Sequence, residues 1–303
     1  MKIGLALGSG SSRGWSHIGV IEALAELGIR PAVVCGTSVG SLVGAAYAAD
    51  NLETLKSWVC SLTMLNLASY FNIGGTVNGF VNGEKLRQAL GRHVVASDTR
   101  IEDLPLRYAA VATELESGHE RWLTEGDALS AVWASIALPA VFPPVYHQGR
   151  WLLDGGLVNP VPVSTCRALG AEVVIAVNLN GDLLGKHEAR RMPVVKNDSP
   201  HFVSKVTTTV TTAVKGYASA LFASGSGQEQ SPGMFEAIAQ SINIAQDRIT
   251  RSRMAGDPPD IILAPKLAHI GLLEFYRAQE AIEEGKHCVR KMLPALEELV
   301  ESA

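Results

Sequence analysis

The stretch Pro31–Asp50, PAVVCGTSVGSLVGAAYAAD, constrains this chain more than any other. Ala32–Cys35 reads as a short buried strand, Gly36-Thr37-Ser38-Val39-Gly40 as a tight turn, and the small-residue run to about Ala49 as a helix. A serine at the tip of a strand-to-helix turn has its hydroxyl pushed out at the sheet edge. It also sits at a helix N-terminus, where backbone N–H groups favour developing negative charge. Gly36 and Gly40 stand where strand and helix pass too close for a Cβ. The pattern is the G-x-S-x-G nucleophile elbow. An ordinary glycine-containing turn is the plainer alternative, but the strand before and the helix after are what the elbow requires.

Upstream, Lys2–Leu7 is a continuous apolar strand of the kind found in parallel sheets covered on both faces. It runs through Gly8-Ser9-Gly10-Ser11-Ser12-Arg13-Gly14 into an amphipathic helix, about Ser16–Leu27, which Gly28 ends. Strand, loop, helix and strand in this order predict a right-handed βαβ unit, with both glycine-rich turns opening at one sheet edge. Two loops of backbone donors side by side make a site.

Downstream, Asn51–Ser61 and Asn82–Gly91 read as helices, Tyr108–Thr113 and Gly118–Leu123 as a hairpin, and Asp127 as the cap of a helix through Ser135. Between the first two helices, Trp58, Met64, Leu65, Leu67, Tyr70 and Phe71 form either a helix packed on the core or a mobile cap over a lipophilic pocket. Pro139, Pro143 and Pro144 forbid regular helix over Ala134–Val145, which is expected to lay an apolar loop over the surface. Arg150–Leu153, Glu172–Val177 and Asp260–Leu263 read as further strands, and Pro162–Leu169, Met234–Met254 and Leu272–Glu301 as helical. The βα order runs through both halves, so a single α/β domain over 1–303 is expected: core motifs in 2–180, a variable segment at 180–233, and C-terminal strand and helices at 234–303. The segment 180–233, polar, then Thr-rich, then Gly/Ser-rich, carries no chemistry that can be named.

Composition narrows the partners. The chain of 303 residues is 47% hydrophobic and carries a net charge of −4 with no long Lys/Arg run, so nucleic acid is not expected as a partner. Cys35, Cys60, Cys166 and Cys288 lie far apart without a C-x-x-C pair, which favours free thiols in a reducing compartment. The apolar run after Met1 is too short for a secretory leader. No stretch reaches the roughly 18 apolar residues of a membrane span. A cytoplasmic protein, at most peripheral to the inner membrane, is the expectation; the oligomeric state stays open.

A nucleophilic serine needs a base for its proton and donors for the oxyanion. None of the eight histidines follows a late apolar strand in a glycine-flanked loop, and His17, in the helix after the first glycine loop, reads as structural. Asp154 is better placed, after the apolar strand Trp151–Leu153 and before Gly155 and Gly156. Its carboxylate is expected exposed at the strand's end, with backbone packed close around it. A poorly solvated carboxylate can take a serine proton directly. The competing reading is a turn aspartate in a D-G hairpin; with an elbow serine and no base histidine, the catalytic reading is preferred.

Gly8–Gly14, the elbow Gly36–Gly40, the Ser-x-Ala-x-Pro-x-x-Phe-x-Pro stretch at Ser135–Pro144 and Asp154-Gly155-Gly156 together resemble the patatin-like phospholipases, in order and about in spacing. Arg253–Pro265 is similar to the bacterial RssA-type branch, related to neuropathy target esterase. The resemblance implies a three-layer α/β/α sandwich with a mostly parallel central sheet, and a serine lipid acyl hydrolase (a phospholipase, lysophospholipase or carboxylesterase). It implies Ser38 as nucleophile, Asp154 as proton acceptor, and an oxyanion hole in the glycine loop, drawn from Gly10, Ser11, Ser12 and Arg13. A phospholipid or other fatty-acyl ester is the implied substrate, with no cofactor and no metal. Arg13 is left between two roles, positive potential near the oxyanion and loop anchor. The loop departs from the family's glycines at Ser9 and Ser11, which puts hydroxyls beside the expected hole. That departure and the unassigned 180–233 segment together motivate an alternative, a weakly active regulatory or interaction protein on the same fold. A nucleotide-binding module is the remaining rival; Gly4 inside the strand and Cys35-Gly36 at the end of the next, with no acid for a ribose, speak against it.

Overall fold

The computed structural model describes residues 1–70, 83–139, 141–182 and 234–301. The IGGTVNG stretch and nearly all of the 180–233 segment lie outside the described residues. β1 (Ile3–Leu7) holds the middle of one mixed sheet, parallel to β2 (Val33–Thr37) on one side and to β7 (Val173–Val177) on the other. β7 continues in parallel to β8 (Ile261–Leu263), and β2 to β3 (Arg107–Glu114). Past β3 the sheet turns antiparallel through β6 (Arg150–Asp154) and β5 (Val145–His147), giving the order β5-β6-β3-β2-β1-β7-β8. β4 (Glu120–Leu123) pairs antiparallel with β3, as the hairpin reading expected.

The helices are α1 (Ser16–Glu26), α2 (Val39–Ala48), α3 (Leu52–Cys60), α4 (Met64–Ala68), α5 (Gly83–His93), α6 (Ala128–Ser135), α7 (Val163–Ala168), α8 (Met234–Gly256), α9 (Ala278–Lys291) and α10 (Leu293–Glu301). Successive strand residues serve opposite faces of the sheet. Leu5, Leu7, Val34, Tyr108 and Val177 join the larger core with α1, α2, α6 and α9. Ala6, Cys35, Ala109 and Ala176 face Val163 and Cys166 of α7 on the other side, with Met254 of α8 packed on that cluster. Helices on both faces of a mostly parallel sheet make a layered α/β fold. Gly4 falls inside β1, where a Cβ would lie 2.5 Å from Ala171 Cβ, so it answers to strand–helix packing rather than to a phosphate. No described helix is long and apolar enough to cross a membrane. All four cysteines are free, with Cys60 exposed and the other three buried.

Two expectations need correction. The Ala134–Val145 loop lies over the surface only in part: Pro143 and Pro144 are exposed, but Ala137 and Val141 are buried. Its prolines break the helix, but its apolar side chains turn inward, and Val145–His147 then forms an edge strand that the sequence reading missed. Asp154 is not exposed at the end of its strand but fully buried. Its backbone N–H donates to Ala137 O at 3.0 Å, so the inward loop is part of what covers it.

Candidate active site

Ser38 sits between β2 and α2 with φ 56° and ψ −127°. A positive φ away from glycine costs on the order of 1–3 kcal/mol and persists only where the surroundings fix it. Here they do. Ser38 N–H donates to Ser135 Oγ at 2.9 Å, and that hydroxyl donates to Val111 O at 2.6 Å. Ser41 Oγ closes the other side on Ser38 O at 2.6 Å. The flanking glycines are needed as expected: a Cβ on Gly36 would come 2.3 Å from Gly40 O, and one on Gly40 2.1 Å from Leu7 O.

The same elbow brings Ser38 Oγ to 2.5 Å from Asp154 Oδ2, to which it donates. The second carboxylate oxygen accepts Gly156 N–H at 2.7 Å, which fixes the plane of the group. Burial pushes the Asp154 carboxyl up to about 6, while the bonds from Ser38 and Gly156 hold it down. A carboxylate so placed remains ionised at neutral pH and is a stronger base than a solvated one. Among the described residues no histidine takes this place. His17 is buried, its Nε2 bonded to Gly8 O at 2.8 Å, and desolvation lowers its pKa to about 4. It acts as a neutral brace at the mouth of the glycine loop.

That loop runs on directly from β1. Gly8 and Ser9 N–H donate to Val177 O and Pro160 O. Ser12 and Arg13 N–H donate to Leu272 O and Gly10 O, both at 3.3 Å. The N–H groups of Gly10 and Ser11, and of Val39 at the first turn of α2, have no acceptor among the described residues. Of the four residues expected to supply donors, Gly10 and Ser11 thus keep an unpaired N–H among the described residues while Ser12 and Arg13 do not, and Val39, which the sequence reading did not name, keeps one as well. The position directly after the elbow serine was the signal for it. Arg13 is buried, its Nε on Gly10 O at 3.1 Å, and desolvation lowers its pKa to about 10. It is an anchor of the loop. The Ser9 and Ser11 hydroxyls are committed elsewhere, donating to Gln246 Oε1 and Leu272 O.

Ser38, Val39, Gly10 and Ser11 open into a pocket whose empty space, open solvent included, is about 1030 Å³. Its walls are largely apolar: Leu62, Leu67 and Tyr70 near α4, Leu86 and Leu90 of α5, and Leu138, Val141 and Phe142 of the proline-rich loop. Leu67 is buried against the core while its neighbours Met64 and Leu65 are exposed, so α4 serves partly as packing and partly as pocket wall. The C-terminal half adds Ile242, Asn243 and Gln246 of α8, with Leu272, Leu273 and Phe275. None of these had a sequence signal of its own. Among the described residues there is no cluster of histidine, cysteine and carboxylate side chains able to hold a metal.

The sequence has counterparts. The family model for patatin-like phospholipases matches residues 5–167. An NTE family protein of Mycobacterium bovis is 32% identical over 98% of this chain and 92% of its own length. Human patatin-like phospholipase domain-containing protein 6 is 35% identical over 58% of this chain, which amounts to 13% of that protein. Lysophospholipase NTE1 of Yarrowia lipolytica is 36% identical over 58% of this chain and 12% of its own length.

Proposed function

This chain belongs to the patatin-like phospholipase family, and from that premise we propose that it is a serine lipid acyl hydrolase built on a Ser38–Asp154 dyad. The observation that carries the reading is the 2.5 Å bond from Ser38 Oγ to a buried Asp154 carboxylate. Asp154 takes the Ser38 proton as Oγ attacks the acyl carbonyl carbon. The resulting oxyanion is met by the free N–H groups of Gly10, Ser11 and Val39, preorganised donors aimed where charge develops. As the tetrahedral species collapses, Asp154 returns the proton to the leaving alcohol oxygen. Water then attacks the acyl-serine with Asp154 again as base, releasing the fatty acid and restoring the Ser38 hydroxyl.

The substrate is a fatty-acyl ester, lysophospholipids and phospholipids included, because the pocket walls offer almost nothing but hydrocarbon. Delivery of such an ester fits a protein at most peripheral to a membrane. One continuous sheet shared by the N-terminal and C-terminal strands supports reading the chain as one domain. One of the two motives for the weakly active alternative weakens, since the Ser9 and Ser11 hydroxyls are bonded to Gln246 and Leu272; the other, the 180–233 segment, lies almost entirely outside the described residues.

The test is fluorophosphonate labelling with peptide mapping, alongside p-nitrophenyl butyrate hydrolysis by wild type, Ser38→Ala and Asp154→Asn. Label on Ser38 and loss of turnover in both folded variants are expected. Label elsewhere, or equal turnover in all three, would refute the dyad.

A further inference from the structure

The loop that carries Gly10 and Ser11 is held from outside residues 5–167, the span matched by the family model. Ser9 Oγ donates to Gln246 Oε1 at 2.9 Å, an atom that also accepts Asn180 Nδ2–H at 3.0 Å. Ser11 Oγ donates to Leu272 O and Ser12 Oγ to Gly271 O, each at 2.6 Å. Ser11 makes its bond from a left-handed backbone, φ 53°, which glycine adopts freely and serine does not. The hydroxyl contact offsets that cost.

Gln246 reaches further. It is buried at 5% exposure and presses against the turn that orients Asp154. A Cβ on Gly156 would fall 2.4 Å from Gln246 Nε2 and 3.0 Å from Asp154 Oδ1. One side chain of α8 therefore touches both the donor loop and the turn after the general base.

We propose that Gln246 is a positioning residue of the active site, a latch that closes on Ser9 and, together with the Ser11–Leu272 contact, sets the aim of the Gly10 and Ser11 N–H groups. The proposal rests on the hydrolase reading above. Oxyanion donors act on the tetrahedral species and far less on the bound ester. A loosened latch therefore lowers kcat and leaves KM nearly alone. Ser9 and Gln246 share one hydrogen bond, so losing either partner breaks the same contact.

The experiment compares wild type, Ser9→Ala, Ser11→Gly, Gln246→Met and the Ser9→Ala/Gln246→Met double variant on p-nitrophenyl butyrate, with a thermal melt for each. Each single variant is expected to lose kcat by about tenfold or more with KM within about twofold, as for a misplaced catalytic group. The double variant is expected to lose no more than the weaker of its two parents. Ser11→Gly removes the hydroxyl while relieving the backbone, so its kcat loss is expected without a matching fall in Tm. Unchanged kcat in folded Ser9→Ala and Gln246→Met, or losses that multiply in the double variant, would overturn the latch while the hydrolase reading stands. A wild type that neither turns over nor takes the fluorophosphonate at Ser38 would sink both.

Discussion

Ser38 Oγ lies 2.5 Å from Asp154 Oδ2, and the carboxylate that accepts this hydrogen bond is entirely shut off from solvent. Burial raises the Asp154 carboxyl to about 6. Only the ionised form can act as base, so kcat/KM is expected to climb with pH through about 6 and level off above it. A pH profile of p-nitrophenyl ester hydrolysis checks this. A rate that is flat from about pH 5 to pH 7 would argue against a carboxylate base.

The same shift sets stability against activity. The folded pKa of Asp154 stands above its ordinary 3.8, so the fold favours the protonated form. That contribution is fully present below about 3.8 and is lost as pH rises through about 6. Asp154→Asn keeps an acceptor for Gly156 N–H and a donor for Ser38 without the charge. It is expected to abolish turnover by a factor on the order of 10²–10⁴. It is also expected to be more stable than wild type at pH 8, by about 1–3 kcal/mol, with the gain vanishing at pH 4. Urea unfolding at the two pH values measures the difference; a gain equal at both would show that the charge is not the cause.

Ser135 is the next point of leverage, since its hydroxyl links the strained Ser38 N–H to Val111 O. Ser135→Ala leaves both groups unpaired in a buried place, at a cost of about 1–3 kcal/mol. The elbow then loses the restraint on its positive φ, and kcat is expected to drop by about tenfold with the fold retained. Steady-state kinetics with a melt for each protein tests it. A loss of stability with kcat unchanged would make Ser135 a packing residue only.

Much of this site was legible because its parts are local. A strand, a turn with Gly36 and Gly40 and a small-residue helix specify the elbow within a single stretch. The Asp154-Gly155-Gly156 turn declares a carboxylate at a strand's end in the same way. Burial of that carboxylate was not legible, because it depends on Ala137 folding inward from a proline-rich loop whose direction no local pattern encodes. Gln246, Leu272 and Phe275 were invisible for a stronger reason. They reach Ser9 and Ser11 of the glycine loop, and Trp15 just after it, across more than two hundred residues of chain, from a helix and a turn whose own patterns announce only packing. Ser9 and Ser11 read as blemishes in a glycine loop until their acceptors were in view.

The pocket gives the last expectation. Leu62 lines it, is buried at 7% exposure and belongs with Leu67 to the apolar core. Leu62→Trp places an indole where an acyl chain would extend and leaves the dyad and the donor loop untouched. Each methylene that no longer finds apolar contact forfeits about 0.8 kcal/mol of binding. Turnover of a butyrate ester is therefore expected to stay near wild type, while kcat/KM for a dodecanoate ester falls by one to two orders of magnitude, about two to three methylenes' worth. Measuring p-nitrophenyl esters across that range of chain lengths reads the shift directly. Equal losses for short and long chains would mean that Leu62 supports the fold and that the acyl chain runs elsewhere.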